Sequence, residues 1–177
     1  MHSEWILNQI NALKIKKKIK LLDFASGNGR NCIPLANKNI IVTAIDKDQE
    51  KLNKYKNFNY INTICFDLES NEKWPLLEEY YDVIIVVNYL YRPKIKKLIN
   101  LLKKNGFLFY ETFSEGNEKY DSPKNPNFLL KRKELLDIFG EKLLTVSFYE
   151  GQLNYGQMTI KQRACFKNGA LWNKTPI

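Results

Sequence analysis

The order of segments in this chain predicts an open α/β fold: seven strands in a mostly parallel sheet, with helices on both faces. Three observations carry that expectation. Short apolar runs alternate with polar, helix-like stretches over the first two thirds of the chain, the pattern of strand–helix–strand units. The first three runs each end at an aspartate, Asp23, Asp46 and Asp67, and the glycine turn Gly27-Asn28-Gly29 follows the first of them. The last two runs, about 143–149 and 158–166, are joined by a link too short for a crossover, so they form an antiparallel hairpin.

The elements follow in order. Ser3 is placed to cap an opening helix in which Trp5, Ile6, Gln9, Ile10 and Leu13 recur at helical spacing, covering the site or a sheet edge. A lysine run leads into a strand at 19–24, where Leu21, Leu22 and Phe24 are apolar. Gly27 and Gly29 then allow a sharp turn and close approach of backbone to a ligand. A helix is expected over 31–37, with Pro34 tolerated in its first turn. Strands at 40–45 and 60–66 flank a polar helix at 48–56, and Trp74-Pro75 interrupts a weak helix signal over 69–79. Residues 81–87 are continuously apolar, as a central parallel strand is. Pro93 opens a helix that runs to about Lys104, before Asn105-Gly106 and a fifth strand at 107–112. The polar loop 115–127, long enough for a lid or an acceptor loop, precedes a helix at 131–139 and the hairpin. Residues 1–177 read as one domain: helix and basic linker over 1–18, core over 19–167, tail over 168–177.

Composition narrows the function classes. No apolar run approaches the length of a membrane span, and the N-terminus lacks the order of a signal peptide, so a cytoplasmic location is expected. Cys32, Cys65 and Cys165 are odd in number and have no histidine cluster, which predicts buried free thiols rather than disulfides or a metal site. The net charge of +9 invites a nucleic-acid partner. Yet arginine, the residue suited to bidentate phosphate and base contacts, occurs only as Arg30, Arg92, Arg132 and Arg163, so a solvated lysine surface is the reading preferred to an RNA footprint.

Asp23-x-Ala25-x-Gly27-x-Gly29 resembles motif I of the class I S-adenosylmethionine (SAM) methyltransferases, with Ala25 in place of the first glycine of G-x-G-x-G. A dinucleotide turn is the rival, but its third glycine would fall on Cys32, and Asp46 suits the ribose hydroxyls of either cofactor. Asp23 favours SAM, because a carboxylate there attracts the cationic methionine end and would repel a pyrophosphate. Asp82 and Lys104-Asn105-Gly106-Phe107 resemble the D-x-I and K-P-G-G signposts of the same family. Gly27-Asn28-Gly29-Arg30-Asn31 and Phe128-Leu129-Leu130-Lys131-x-x-Glu134-Leu135 look like its tellurite-resistance (TehB-like) branch.

The resemblance implies a Rossmann-like class I fold in which the last strand inserts between the fourth-strand and fifth-strand side of the sheet. It implies SAM as cofactor, held by Asp23, Ala25, Gly27, Asn28, Gly29, Arg30, Asn31, Asp46, Lys47, Asp67, Leu68 and Asn88. Asp46 would take the ribose and Asp67 the adenine amino group, while Leu68 would pack on the ring. The implied acceptor is a small molecule with a soft or anionic nucleophile, such as a thiol or a chalcogen oxyanion. Tyr89, Tyr91, Arg92 and Glu111 are the candidates lining its pocket, and Arg92 is the expected anion-holding cation. Transfer from a sulfonium needs no obligatory general base, and the one histidine, His2, lies at a terminus. Asn88-Tyr89-Leu90-Tyr91 also matches the ends of the N-P-P-Y motif, which keeps open amino-group methylation of RNA, DNA or protein. A SAM-binding module without chemistry is the third alternative.

Overall fold

The structure, a computed structural model, describes residues 2–154 and 158–169. Helix α1 spans Glu4–Ala12 and is followed by β1 (Ile19–Phe24), β2 (Ile40–Asp46), α2 (Gln49–Asn53), β3 (Ile61–Cys65) and β4 (Tyr81–Val87). Short helices α3 (Arg92–Ile95) and α4 (Leu98–Leu101) lead into the long strand β5 (Leu102–Phe113). Helix α5 (Glu134–Phe139) precedes β6 (Leu144–Asn154) and β7 (Met158–Lys167).

The seven strands form one sheet in the order β3-β2-β1-β4-β5-β7-β6. Strands β1 to β5 pair in parallel, and β7 runs antiparallel to both β5 and β6. The last strand therefore lies between β5 and β6 and touches β4 nowhere, which corrects the expected insertion beside the fourth strand. Along β4 the side chains alternate between two apolar layers, as the strand period requires. Ile84 and Val86 face the layer under α3, α4 and α5, with Leu98, Leu135 and Phe139 fully buried there. Val83 and Ile85 face the layer under α1 and α2, with Ile6, Ile10, Leu52 and Tyr55. Helices thus cover both faces.

Two helices differ from expectation for identifiable reasons. Residues 31–37 form successive turns and no α-helix. Ile33 N–H bonds Gly29 O and Ala36 N–H bonds Cys32 O, but Pro34 between them has no N–H to continue the ladder. The helix expected from Pro93 to Lys104 splits into α3 and α4, joined by tight i→i−3 bonds from Lys97 to Lys94 and from Asn100 to Lys97. It ends early because buried Leu102 already pairs with Tyr81 as the first residue of β5; a register shift and the left-handed Asn105 (φ 66°) follow. The hairpin strands also run beyond their expected ends; Gln157, in the expected link, and the tail beyond 169 lie outside the described residues.

Candidate cofactor and acceptor site

The glycine turn at the end of β1 is built on three left-handed residues, Ala25 (φ 61°), Gly27 (φ 54°) and Gly29 (φ 72°). Only glycine adopts that conformation without steric cost, so Ala25 holds a strained version of what its neighbours hold freely. Tyr55 props the turn from below: its hydroxyl lies 3.2 Å from Gly27 O and 2.8 Å from Ser26 Oγ. A Cβ on Gly29 would sit 2.9 Å from the Tyr55 ring.

Asp46, ending β2, binds the turn and its own loop. Its Oδ2 accepts from Gly27 N at 2.7 Å and its Oδ1 from Asp48 N at 3.0 Å, which fixes both oxygens while each keeps a second lone pair. A cavity of about 280 Å³ opens there, lined by Ala25, Asp46, Lys47, Asp67, Asn88 and Tyr89 among others. Leu68 also borders it, but is almost fully buried, packs into the layer beneath and accepts the Trp74 indole N–H on its carbonyl. The structure thus brings the residues ending β2, β3 and β4 around one hollow.

The other expected cofactor residues stand around the turn. Asp23 is 1% exposed, and its Oδ2 has no partner. Burial pushes its carboxyl up to about 7, against hydrogen bonds from Cys32 and the field of Arg30. Asn31 is buried and accepts Ser3 N–H at 2.9 Å, so it ties the start of α1 to the turn. Asn28 is exposed and accepts from Lys54 at 3.2 Å. Arg30 borders a second cavity of about 270 Å³ with Glu111, Lys161 and Arg163. The orphaned Asp23 oxygen, the open turn and the paired acceptors of Asp46 fit the ammonium, the methionine chain and the ribose of SAM respectively.

The acceptor candidates separate. Asn88 and Tyr89 line a third cavity, of about 420 Å³, with Glu69, Leu90, Thr112, Phe113, Ser122, Pro123 and Phe128. Tyr91 and Arg92 lie outside that lining. Arg92 spends its donors elsewhere: Nε donates to Glu134 Oε1 at 2.6 Å, Nη2 to Glu134 Oε2 at 2.9 Å and to Leu129 O, and Nη1 to Asn127 O. It fastens the turn that carries Phe128 and presents no fork towards a cavity. The loop 115–127 is likewise held, since buried Asn117 bonds Ile160 N on β7 and the carbonyls of Asp121 and Ser122.

Glu111 is 3% exposed and belongs to an ion cluster missed in the sequence. Its Oε1 accepts from Lys161 at 2.9 Å; its Oε2 accepts from Arg163 at 2.7 Å and from Ser3 Oγ at 2.9 Å. Burial alone would raise the Glu111 carboxyl, but the two cations hold it below its ordinary value. Burial likewise pulls the Lys161 ammonium down, opposed by Glu111. Lys161 Nζ also lies 2.8 Å from Asn88 Oδ1 and 4.6 Å from the Phe113 ring centre. The sequence signal was present in Lys161-Gln162-Arg163: alternate cations in an apolar strand share one face, here opposite Phe113 and Glu111. Cys65 departs from expectation too, being exposed at the end of β3, whereas Cys32 and Cys165 are buried.

Residues 21–106 match the methyltransferase domain family. That methyltransferase-domain match spans just under half of the chain. The whole architecture of the chain is that of SAM-dependent methyltransferases: a structure of one from Methanosarcina mazei superposes with a TM-score of 0.71 at 15% identity, covering 90% of this chain and 96% of that one. TehB from Haemophilus influenzae gives 0.67 at 19% identity, over 91% of this chain and 61% of that one. A TehB-like SAM-dependent methyltransferase from Corynebacterium glutamicum gives 0.67 at 16%, over 92% and 86%. At these identities the likeness is one of fold. No curated protein matches the sequence. Among the described residues no helix is long and apolar enough to cross a membrane.

Proposed function

We propose that this methyltransferase transfers the methyl group of SAM to a small-molecule acceptor whose nucleophile is soft or anionic, a thiol or a chalcogen oxyanion. SAM supplies an activated methyl on a sulfonium. The chain's own residues supply binding and orientation: Asp23 for the ammonium, Asp46 for the ribose, Asp67 and Leu68 for the adenine, and Asn88 at the junction with the acceptor. The observation that carries the acceptor class is the buried Lys161 ammonium against Asn88, 2.8 Å away, a fixed cation beside the end of β4. A cation there holds an anion in place and stabilises its ionised form. It is shared with Glu111, yet unlike Arg92 it contacts a residue that borders the cleft, and so takes the role expected of Arg92.

An amino-group acceptor fits this site less well. The N-P-P-Y arrangement shapes its loop with two prolines, which here are Tyr89 and Leu90, and the Asn88 oxygen already takes one bond from Lys161. Two measurements test the reading. Calorimetry should show micromolar or tighter binding of S-adenosylhomocysteine (SAH), no binding of NAD, and a loss of tenfold or more in both Asp46→Ala and Gly29→Val. Labelled SAM incubated with cell extract should place label in the small-molecule fraction; label confined to RNA or protein would reject the acceptor class.

A further inference from the structure

The cleft of about 420 Å³ has the volume of roughly fourteen waters at about 30 Å³ each, in the range of pockets that enclose an organic ligand. A hydrosulfide ion or a four-atom oxyanion would leave most of it wet. Most of its walls are unsuited to that: Tyr89, Leu90, Phe113, Pro123 and Phe128 present rings and aliphatic carbon, and Phe128 is half-exposed (51%). Apolar surface of that kind favours a ligand that removes it from water. Two charged residues stand at one end of the cleft: Glu69 borders it directly, and Lys161 stands behind Asn88, with Phe113 under the ammonium at 4.6 Å. The cleft and the 280 Å³ hollow share Glu69, Asn88 and Tyr89, so the charged end is also the end next to the proposed cofactor residues.

Building on the small-molecule reading above, we propose that the acceptor is an organic thiol with a flat apolar body. The body lies between Phe113 and Phe128, and the sulfur points at Asn88 and Lys161. The thiol loses its proton to solvent on binding beside the ammonium. Its thiolate then forms the new S–C bond as the sulfonium's C–S bond breaks, that bond's electron pair staying on the cofactor sulfur, so charge and atoms balance without a further reagent. Lys161 is a positioning residue for the anion, and Phe128 sets specificity for the body.

Thiophenol, ionised near neutral pH, is the probe. Calorimetry of thiophenol into protein saturated with SAH reads binding without turnover, and SAH formation reads kcat/KM against hydrosulfide and selenite. Thiophenol should bind the SAH complex and exceed both small anions at least tenfold in kcat/KM. Phe128→Ala, at an exposed position that does not threaten folding, should shrink thiophenol's advantage over hydrosulfide at least fivefold, acting on KM. Lys161→Met should weaken thiophenol binding tenfold and move its pH dependence upward, with Lys161→Arg recovering part of both. Preference for hydrosulfide or selenite, an unchanged ratio in Phe128→Ala, or methylation of RNA or protein with every thiol inert would each overturn the proposal. Failure to bind SAH at all would instead reject the methyl-transfer reading beneath it.

Discussion

Asp23 is held in the fold at a cost that a ligand can relieve. Its carboxyl, raised to about 7 by burial, keeps a proton that the unfolded chain gives up near its ordinary 3.8. Between about pH 4 and 7 the folded state therefore binds more protons than the unfolded one, and stability of the ligand-free protein falls as pH rises through that window. Asp23→Asn should flatten that part of the profile in thermal unfolding. An ammonium opposite the orphaned Oδ2 favours the ionised form, so SAH affinity should rise from about pH 6 to about pH 8, with a proton released at the lower value. Calorimetry in two buffers of different ionisation enthalpy reads that proton, and a flat profile would remove Asp23 from the site. Two positions along, Ala25 stores backbone strain in the turn itself. Its left-handed backbone costs about 1–2 kcal/mol, whereas Ala25→Gly forfeits only about 0.4–1 kcal/mol through the freer unfolded chain. Strain wins, so Ala25→Gly should raise stability by up to about 1 kcal/mol in denaturant unfolding. Gly29→Ala should lower it, because Tyr55 leaves its Cβ no room.

At the scale of elements, the Arg92–Glu134 pair joins the start of α3 to the start of α5 and clamps the 126–129 turn between them. Burial raises the Glu134 carboxyl, but the Arg92 guanidinium and Lys131 N–H hold it below its ordinary value, so the pair's contribution persists above that value and is lost on acidification below it. Arg92→Ala should cost about 1.5–3 kcal/mol of stability through the lost charge-assisted bonds. Glu134→Ala should cost a similar amount, and the double variant should cost little more than either, since both remove one interaction. SAH affinity should stay within twofold in all three, because none borders the 280 Å³ hollow; a tenfold change would mean that the clamp shapes the cofactor site. The succession of elements along the chain, the bounds of β1, β2 and β4 and the three terminal aspartates were legible in the sequence because apolar runs and turn residues are local signals, whereas the place of β7 in the sheet depends on distant pairing. The split of α3 from α4 and the loss of helix at 31–37 were not, since each follows from where neighbouring bonds can form around Leu102 and Pro34. Arg92 read as an open cation and Lys161 went unnoticed for one reason: the carboxylates that hold them, Glu134 and Glu111, lie 42 and 50 residues away in the chain.

For the whole molecule the question is whether the +9 charge belongs to the chemistry. In a parallel sheet ligands bind past the carboxyl ends of the strands, where Asp46, Asp67 and Asn88, the proposed cofactor residues, line one hollow. The densest lysines gather at the opposite end. Lys14, Lys16, Lys17 and Lys104 rim a groove of about 540 Å³ that also includes Ile19 and Asp82, at the entrances to β1 and β4. A polyanion held there is separated from the acceptor cleft by the length of the sheet, so it cannot present a group for methylation from that position. RNA binding should therefore be nonspecific and independent of SAH. With four phosphates neutralised and a slope of about −0.7 per contact for a single strand, affinity should fall about 50-fold between about 50 and 200 mM salt. Changing Lys14, Lys16, Lys17 and Lys104 to Gln should abolish most of that binding, measured by fluorescence anisotropy with a labelled oligonucleotide, while methyl transfer to thiophenol stays within twofold. Sequence-selective RNA binding that survives 200 mM salt and competes with thiophenol would place the polyanion at the cleft, and would make the lysine surface part of substrate recognition.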